Sequence, residues 1–188
     1  MTSSVFEVIK VRRSIRKYQD KPVEREKILK CLEAARLAPS AENVQPWRFI
    51  VLDDPHLKDR FSKEVFTGIY SPIKFVCKAP VIIVILAKLD ILANRIGKQI
   101  QGIHYYFIDI GIAGEHLILQ AHELGLGTCW IGWFNPRRVR KFLKIPRNYK
   151  IVSLISVGYP AEEKSEVTNR LPLEKIAWFN GFKNKEIA

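Results

Sequence analysis

The chain has 188 residues, enough for one domain that spans residues 1–188 and buries about two-thirds of the surface its unfolded form exposes. Hydrophobic residues make up 47% of the chain, which is typical of a soluble globular protein and excludes a disordered one. The formal net charge of +12 comes from basic residues spread along the whole chain, so charge alone does not predict a nucleic-acid partner.

Capping residues delimit the elements in the first third of the chain. Ser4 followed by Glu7 is a capping box, which predicts a short helix. Asp54 before Pro55 places an N-cap ahead of a proline at the first helical position and predicts another helix. The predicted elements are a helix over residues 4–11, an extended segment over 15–18, a helix over 24–38, a strand over 49–52 and a helix over 54–65.

The rest of the chain contains the most apolar segment. Residues 81–86, Val-Ile-Ile-Val-Ile-Leu, are β-branched and apolar on both faces, which predicts a buried central strand. A long helix over residues 101–124 follows and ends at Gly125 as a C-cap glycine. Residues 62–78 are hard to assign and could cover a site. The remaining predictions are a strand over 129–131, a helix over 135–143 and a strand over 151–157.

The order of these elements leaves the type of sheet open. Helices separated by single strands would first predict a parallel α/β sheet. No glycine-rich turn joins a strand to a helix, however, and the chain contains only 10 glycines. Both observations weaken the parallel interpretation.

Several features exclude competing classes of protein. The longest apolar run, residues 79–87, is too short for a membrane-spanning helix, and the N-terminus lacks the apolar core of a secretory signal. We therefore expect a cytoplasmic protein without a membrane partner. Three scattered cysteines without a CxxC motif predict buried free thiols. His122-Glu123 lacks the second histidine of a zinc helix, so no metal site is predicted.

Three polar or glycine-containing segments could carry a function. Residues 12–16, Arg-Arg-Ser-Ile-Arg, are either a solvated basic patch or an anion site, because guanidinium groups bind phosphate in a planar, bidentate way. Residues 39–47, Pro-Ser-Ala-Glu-Asn-Val-Gln-Pro-Trp, are a surface turn or a binding loop. Residues 125–132, Gly-Leu-Gly-Thr-Cys-Trp-Ile-Gly, are a helix cap before an edge strand or a backbone passage beside a ligand.

Together these three segments resemble the nitroreductase family of FMN-dependent flavoproteins, with motifs in the family's order from Arg12 to Arg170. The resemblance implies an α+β fold: a three-layer sandwich with a mixed, largely antiparallel sheet flanked by helices, in an intertwined homodimer. It also implies two flavins at the dimer interface.

The resemblance assigns cofactor-binding roles residue by residue. Basic and hydroxyl groups lie at the ribityl phosphate, and Arg16 lies near the pyrimidine edge of the isoalloxazine. Part of the 39–47 loop contacts the flavin held mainly by the other subunit, with Trp47 packing at the start of the next strand. Backbone near Trp130 passes the flavin and places an N–H near N5. The carried-over positions are Arg12, Arg13, Ser14, Arg16, Pro39, Ser40, Ala41, Asn43, Gln45, Trp130, Ile131, Gly132 and Arg170.

One position departs from the family. Many members carry a second cation two residues before the position of Arg170, and this chain has Thr168 there. That change removes one expected phosphate contact. Trp133 and Phe134 could line the substrate face or pack in the core, and the C-terminal aromatics, Trp178, Phe179 and Phe182, are predicted to embrace the partner subunit.

The implied function is an FMN-dependent oxidoreductase. NADH or NADPH passes hydride to flavin N5, and a small electron-poor acceptor such as a nitroaromatic or quinone then takes electrons from the same face. Such ping-pong use of one site requires no dedicated acid or base, so no catalytic side chain is predicted. The alternatives are a dehalogenase-like or flavin-consuming enzyme on the same scaffold, a non-enzymatic FMN carrier, and a nucleic-acid binder that rests on charge alone.

Overall fold

The secondary structure follows the predicted order. The computed structural model describes residues 4–89, 102–162 and 169–183. Three 3-10 segments, Ala41–Asn43, Gly68–Lys78 and Leu173–Lys175, accompany the main elements. The helices and strands are α1 (Val5–Val11), α2 (Arg25–Arg36), β1 (Trp47–Leu52), α3 (Pro55–Val65), β2 (Val81–Lys88), α4 (Tyr105–Glu123), β3 (Gly127–Ile131), α5 (Pro136–Phe142) and β4 (Tyr149–Gly158).

Local capping explains most of the helix boundaries. The side chains of Ser4, Asp54 and Asn135 each accept a backbone N–H from the first turn of the helix that follows. Gly125, just after α4, has φ 77°, the left-handed conformation expected of a C-cap glycine. The predicted start of the long helix was too early, because α4 begins at Tyr105; residue 101 lies outside the described residues.

The described residues form a sheet of four strands in the order β1-β2-β4-β3. All three strand pairs are antiparallel, so the initial parallel α/β interpretation is wrong and the α+β prediction is confirmed. The parallel component of the predicted mixed sheet is a single bridge between Ser14 and Thr128 of β3. Strand β2 lies between β1 and β4.

The two faces of β2 belong to two different cores. Val81, Ile83, Ile85 and Ala87 pack with α2 and α4, whereas Ile82, Val84 and Leu86 pack with α3, α5 and the Gly68–Lys78 segment. Alternate side chains of a strand point to opposite faces, so a strand apolar at every position must be covered on both sides. The three-layer arrangement predicted for the fold follows directly.

Two further predictions are resolved by burial. Trp47 begins β1 and is buried in the core, as expected. All three cysteines are free, but only Cys31 and Cys129 are buried, so the prediction was wrong for the half-buried Cys77. No helix among the described residues is both long and apolar enough to cross a bilayer.

Candidate functional site

The arginine segment lies directly beside β3. The Ile15 N–H donates to the carbonyl of Thr128 at 2.8 Å, and Ser14 pairs with Thr128 in the parallel bridge. Ile15 is buried, and its side chain fills the space next to Gly127, where a Cβ would approach Ile15 Cγ1 to 2.6 Å. Two of the segments singled out in the sequence are thus brought side by side, although they lie far apart along the chain.

The guanidinium groups of this segment face different partners. Arg12 Nε lies 3.7 Å from Glu115 Oε1 on α4, an ion pair too long for a hydrogen bond. Arg13 Nη1 donates to the carbonyls of Lys10 and Arg12 at 2.8 Å and so caps the C-terminus of α1. The guanidinium of Arg16 lies 5.9 Å from the ring centre of Phe75.

The positive charge of the segment reaches α4. Burial first, and then the charges of Arg12 and Arg13, lower the pKa of His122 below its ordinary value of 6.5. A protonated imidazole is disfavoured there chiefly because burial removes it from water, and also because Arg12 and Arg13 are already positively charged. The same charges would favour an anion in this region.

The 39–47 loop has a backbone conformation that residues other than glycine rarely adopt. Glu42, Asn43 and Gln45 have φ values of 51°, 56° and 48°, all in the left-handed region. Ser40 Oγ accepts the Gln45 N–H at 2.9 Å, and Gln45 Nε2 donates to Asn43 Oδ1 at 3.0 Å. Left-handed residues other than glycine persist only where surrounding contacts hold them. The loop is thus a defined turn rather than a loose connection.

Asp109 of α4 holds this loop, and the sequence reasoning missed it. Its Oδ1 accepts the Ala41 N–H at 3.0 Å, and its side chain is buried. Burial raises the pKa of this carboxyl, while the Ala41 hydrogen bond partly opposes the rise. The available signal was a lone carboxylate within the apolar stretch Tyr-Tyr-Phe-Ile-Asp-Ile at the start of the predicted helix.

The end of β3 combines a close helix contact with open space. The Trp130 indole lies directly on Gly114 of α4, where a Cβ would overlap the ring. Two residues on, a Cβ at Gly132 would meet no described atom within 4 Å. The backbone predicted to pass the flavin is therefore fixed on one side and open at Gly132.

Trp133 and Phe134 differ in exposure: Phe134 is buried and Trp133 is exposed. Phe134 is buried in the core with α3 and α5, so of its two predicted alternatives the structure supports core packing. Trp133 is exposed, and its Nε1 donates to the carbonyl of Ile69 at 3.1 Å. Its ring lies 5.5 Å from that of Tyr70. Trp133 thus fastens the Gly68–Lys78 segment, part of the predicted cover, beside Gly132.

Arg170 lies in the exposed segment 169–183, and its Nη1 donates to the carbonyl of its neighbour Asn169 at 3.2 Å. Thr168 falls outside the described residues.

Helix α4 links three of the predicted site segments. It contacts the 39–47 loop through Asp109, β3 through Gly114 and the arginine segment through Glu115. The cofactor-binding roles of all thirteen carried-over positions, including Pro39, Ile131 and Arg170, remain predictions of the sequence.

Comparison with known proteins identifies the family. The sequence model of the nitroreductase family matches residues 9–74 and 71–159. An NADH dehydrogenase of Thermus thermophilus is 36% identical, with the match covering 88% of this chain and 90% of that protein. The solved structure of an FMN-dependent nitroreductase from Clostridium difficile R20291 is 38% identical in sequence and has a TM-score of 0.74. The match covers 94% of this chain and 99% of that protein. The chain belongs to the nitroreductase family and is an oxidoreductase.

A relative named for a different activity matches nearly as much of the chain. Iodotyrosine deiodinase of Nematostella vectensis is 29% identical, and the match spans 93% of this chain and 74% of that protein. The scaffold is therefore shared by proteins named for different acceptors.

Proposed function

We propose that the protein is an FMN-dependent NAD(P)H oxidoreductase, acting as a cytoplasmic homodimer on a small electron-poor acceptor such as a nitroaromatic or quinone. The observation that carries this proposal is the pairing of Ile15 with Thr128, because it puts the arginine segment beside β3, the strand that ends just before Gly132. A basic group for phosphate and an open backbone for a planar ring then occur in one region. The C. difficile relative, named as FMN-dependent, supports the same cofactor.

The residues present fit FMN. Open space at Gly132 accommodates a flat ring against the backbone, and the charges that lower the pKa of His122 favour a phosphate. Arg12, Ser14 and Arg170 would hold the phosphate, with Arg13 adding charge while it caps α1. Arg16 would place a cation near N1 and O2 of the ring. When bound, FMN supplies hydride transfer at N5 from the nicotinamide to the acceptor.

In this proposal, the chain's own side chains position the flavin ring and shield it from water, and they exchange no protons with the substrate. Ser40, Ala41, Asn43 and Gln45 present backbone and polar groups from a locked turn. The N–H groups near Trp130, Ile131 and Gly132 would orient the reactive ring, and Trp133 with Tyr70 would limit its exposure to water. We name no catalytic side chain, since solvent can supply the protons.

Exposed apolar side chains support the homodimer. On α1, four large apolar residues are exposed, although its Val8 is buried. The tail adds Phe179 and Phe182, which are 57% and 80% exposed. Patches of this kind usually mark protein interfaces. The exposed α1 residues are Val5, Phe6, Ile9 and Val11.

Flavin binding tests the proposal directly. The purified protein should be yellow, or bind added FMN, and its flavin should bleach anaerobically with NADH or NADPH. Replacing Arg12 and Arg170 together by alanine should weaken FMN binding about 10- to 100-fold, as expected for the loss of charge-assisted hydrogen bonds. Riboflavin, which lacks the phosphate, should bind the variant as it binds the original protein.

Lys10→Ala is the matched control, because Lys10 is an exposed cation of the adjacent helix paired with Glu7. A colourless protein that binds no FMN would overturn the proposal. A double variant that keeps full FMN affinity would overturn the phosphate assignment.

A dehalogenase-like activity is the second candidate, supported by the deiodinase relative. Turnover of an iodinated phenol and of a nitroaromatic with the same reductant separates the two. Slow bleaching by both nicotinamides would instead indicate a flavin carrier.

A further inference from the structure

Asp109 is a carboxylate buried beside the apolar core, a position where it does not help to stabilise α4. Among the described residues, it is the one carboxylate with a fully buried side chain, at 3% exposure. Its neighbour Ile110 and the residues a turn further on belong to the apolar core against the sheet. A hydrophobic side chain at this position would avoid the cost of removing a carboxylate from water.

Only one of its two oxygens is satisfied. Oδ1 accepts the Ala41 N–H at 3.0 Å, whereas Oδ2 is buried and has no hydrogen-bond partner among the described residues. Buried polar atoms are nearly always hydrogen-bonded, so an exception calls for a reason. The polar group that this side chain does hold is the Ala41 N–H, through Oδ1.

Oδ1 ties a strained turn to the helix layer. The other side-chain hydrogen bonds of the turn, from Ser40 Oγ to the Gln45 N–H and from Gln45 Nε2 to Asn43, stay within it. The bond from Ala41 to Asp109 is thus the described side-chain bond that fixes the turn relative to α4. Three residues of the turn have left-handed φ, and such backbones relax when their anchor is removed.

We propose that Asp109 is a positioning residue for the cofactor: by accepting the Ala41 N–H, it holds residues 40–45 in the conformation that meets the flavin ring. This inference rests on the proposed function, and Asp109 acts through Ala41 without touching the flavin. We expect it to affect the contacts with the flavin ring and not those with the FMN phosphate. The arginine segment, which would bind the phosphate, is attached to α4 separately through Glu115.

Two substitutions distinguish the acceptor from the charge. Asp109→Ala removes the acceptor, whereas Asp109→Asn keeps a carbonyl oxygen for Ala41 and removes the charge. Ser153→Ala is the matched control, since Ser153, on β4, is another buried polar side chain without a hydrogen-bond partner in the described part of the chain.

Two measurements are made on each variant. In the flavin-free protein, hydrogen exchange of the Ala41 amide should accelerate about tenfold in Asp109→Ala, as expected for one lost hydrogen bond. With flavin, the Kd values for FMN and riboflavin should rise by the same factor, about tenfold, and the visible spectrum of the bound flavin should change. Asp109→Asn and Ser153→Ala should stay within about threefold of the original protein.

A substitution on the other side of the bond keeps the proposal testable if Asp109→Ala does not fold. Ala41 is the first residue of its 3-10 turn and follows Ser40 in an extended conformation, so proline fits there while removing the N–H. Ala41→Pro should weaken both flavins in the same way. Combined with Asp109→Ala, it should add little, because both break one interaction.

The outcomes separate this proposal from the proposed function. Failure of the unaltered protein to bind FMN overturns the proposed function. Tight binding by that protein with unchanged flavin affinity in Asp109→Ala overturns the positioning role alone. Equal loss in Asp109→Asn and Asp109→Ala, or loss of FMN but not riboflavin affinity, also overturns it.

Discussion

The indole ring of Trp130 on β3 occupies the space that a side chain at Gly114 of α4 would need. A Cβ at Gly114 would overlap Cζ2 and Cη2 of the indole. This contact fixes how far β3 stands from the helix that also holds the loop and Arg12. The position of Gly132 relative to those segments depends on it.

Alanine at Gly114 is expected to lower the free energy of unfolding by about 1–3 kcal/mol, because the indole or the helix must move. Gly111 of the same helix is the matched control, since a Cβ there meets no described atom within 4 Å. Gly111→Ala should raise the unfolding free energy by about 0.5–1 kcal/mol through helix propensity. Urea unfolding at one fixed protein concentration measures both, and equal effects would contradict the Trp130 contact.

Valine at Gly132 should separate folding from cofactor binding. The backbone there is not left-handed, and the position is open in the single chain, so the unfolding free energy should change by less than about 0.5 kcal/mol. If the flavin passes this point, the new side chain should block it and weaken FMN and riboflavin binding alike. Unchanged affinity for both flavins would show that the ring binds elsewhere.

The pH dependence of stability should contain a contribution from His122. Its pKa is lowered in the fold, so as the pH falls through 6.5 the unfolded chain gains a proton that the folded protein does not. The unfolding free energy should therefore decrease as the pH drops from about 7 to about 5. His122→Gln should flatten this slope, and His56→Gln, at an exposed histidine of α3, gives the baseline. A slope that survives the His122 substitution would refute the assignment.

Removing residues 178–188 should weaken the proposed dimer. Trp178 and Phe182 pack edge-on at 5.0 Å and leave a large apolar surface for a partner. Sedimentation should show dissociation at a higher protein concentration than for the full chain. A shorter truncation that removes residues 184–188 keeps the aromatics and should leave the dimer intact; an unchanged dimer in the longer truncation would disprove the role of the tail.

Local rules predicted the elements well. Ser4, Asp54, Asn135 and Gly125 act within one helical turn of themselves, so their effects can be read from neighbouring letters. The same rules were less reliable where contacts between distant residues determine a helix boundary or the burial of a side chain. The start of α4 was placed too early, and Cys77 was wrongly predicted to be buried. For Phe134 the sequence left two alternatives open, because burial depends on which elements pack over a residue.

The sequence by itself determined the order and type of the elements, the double-sided burial of β2, and the family through three short motifs. Only the tertiary structure decided the strand order β1-β2-β4-β3, the pairing of Ile15 with Thr128, and the anchoring of Ala41 on Asp109. Periodicity and capping arise from steric and hydrogen-bonding preferences of adjacent residues. Pairings between distant segments instead depend on the packing of the whole chain, in which a single buried carboxylate can select the conformation of a loop 68 residues away.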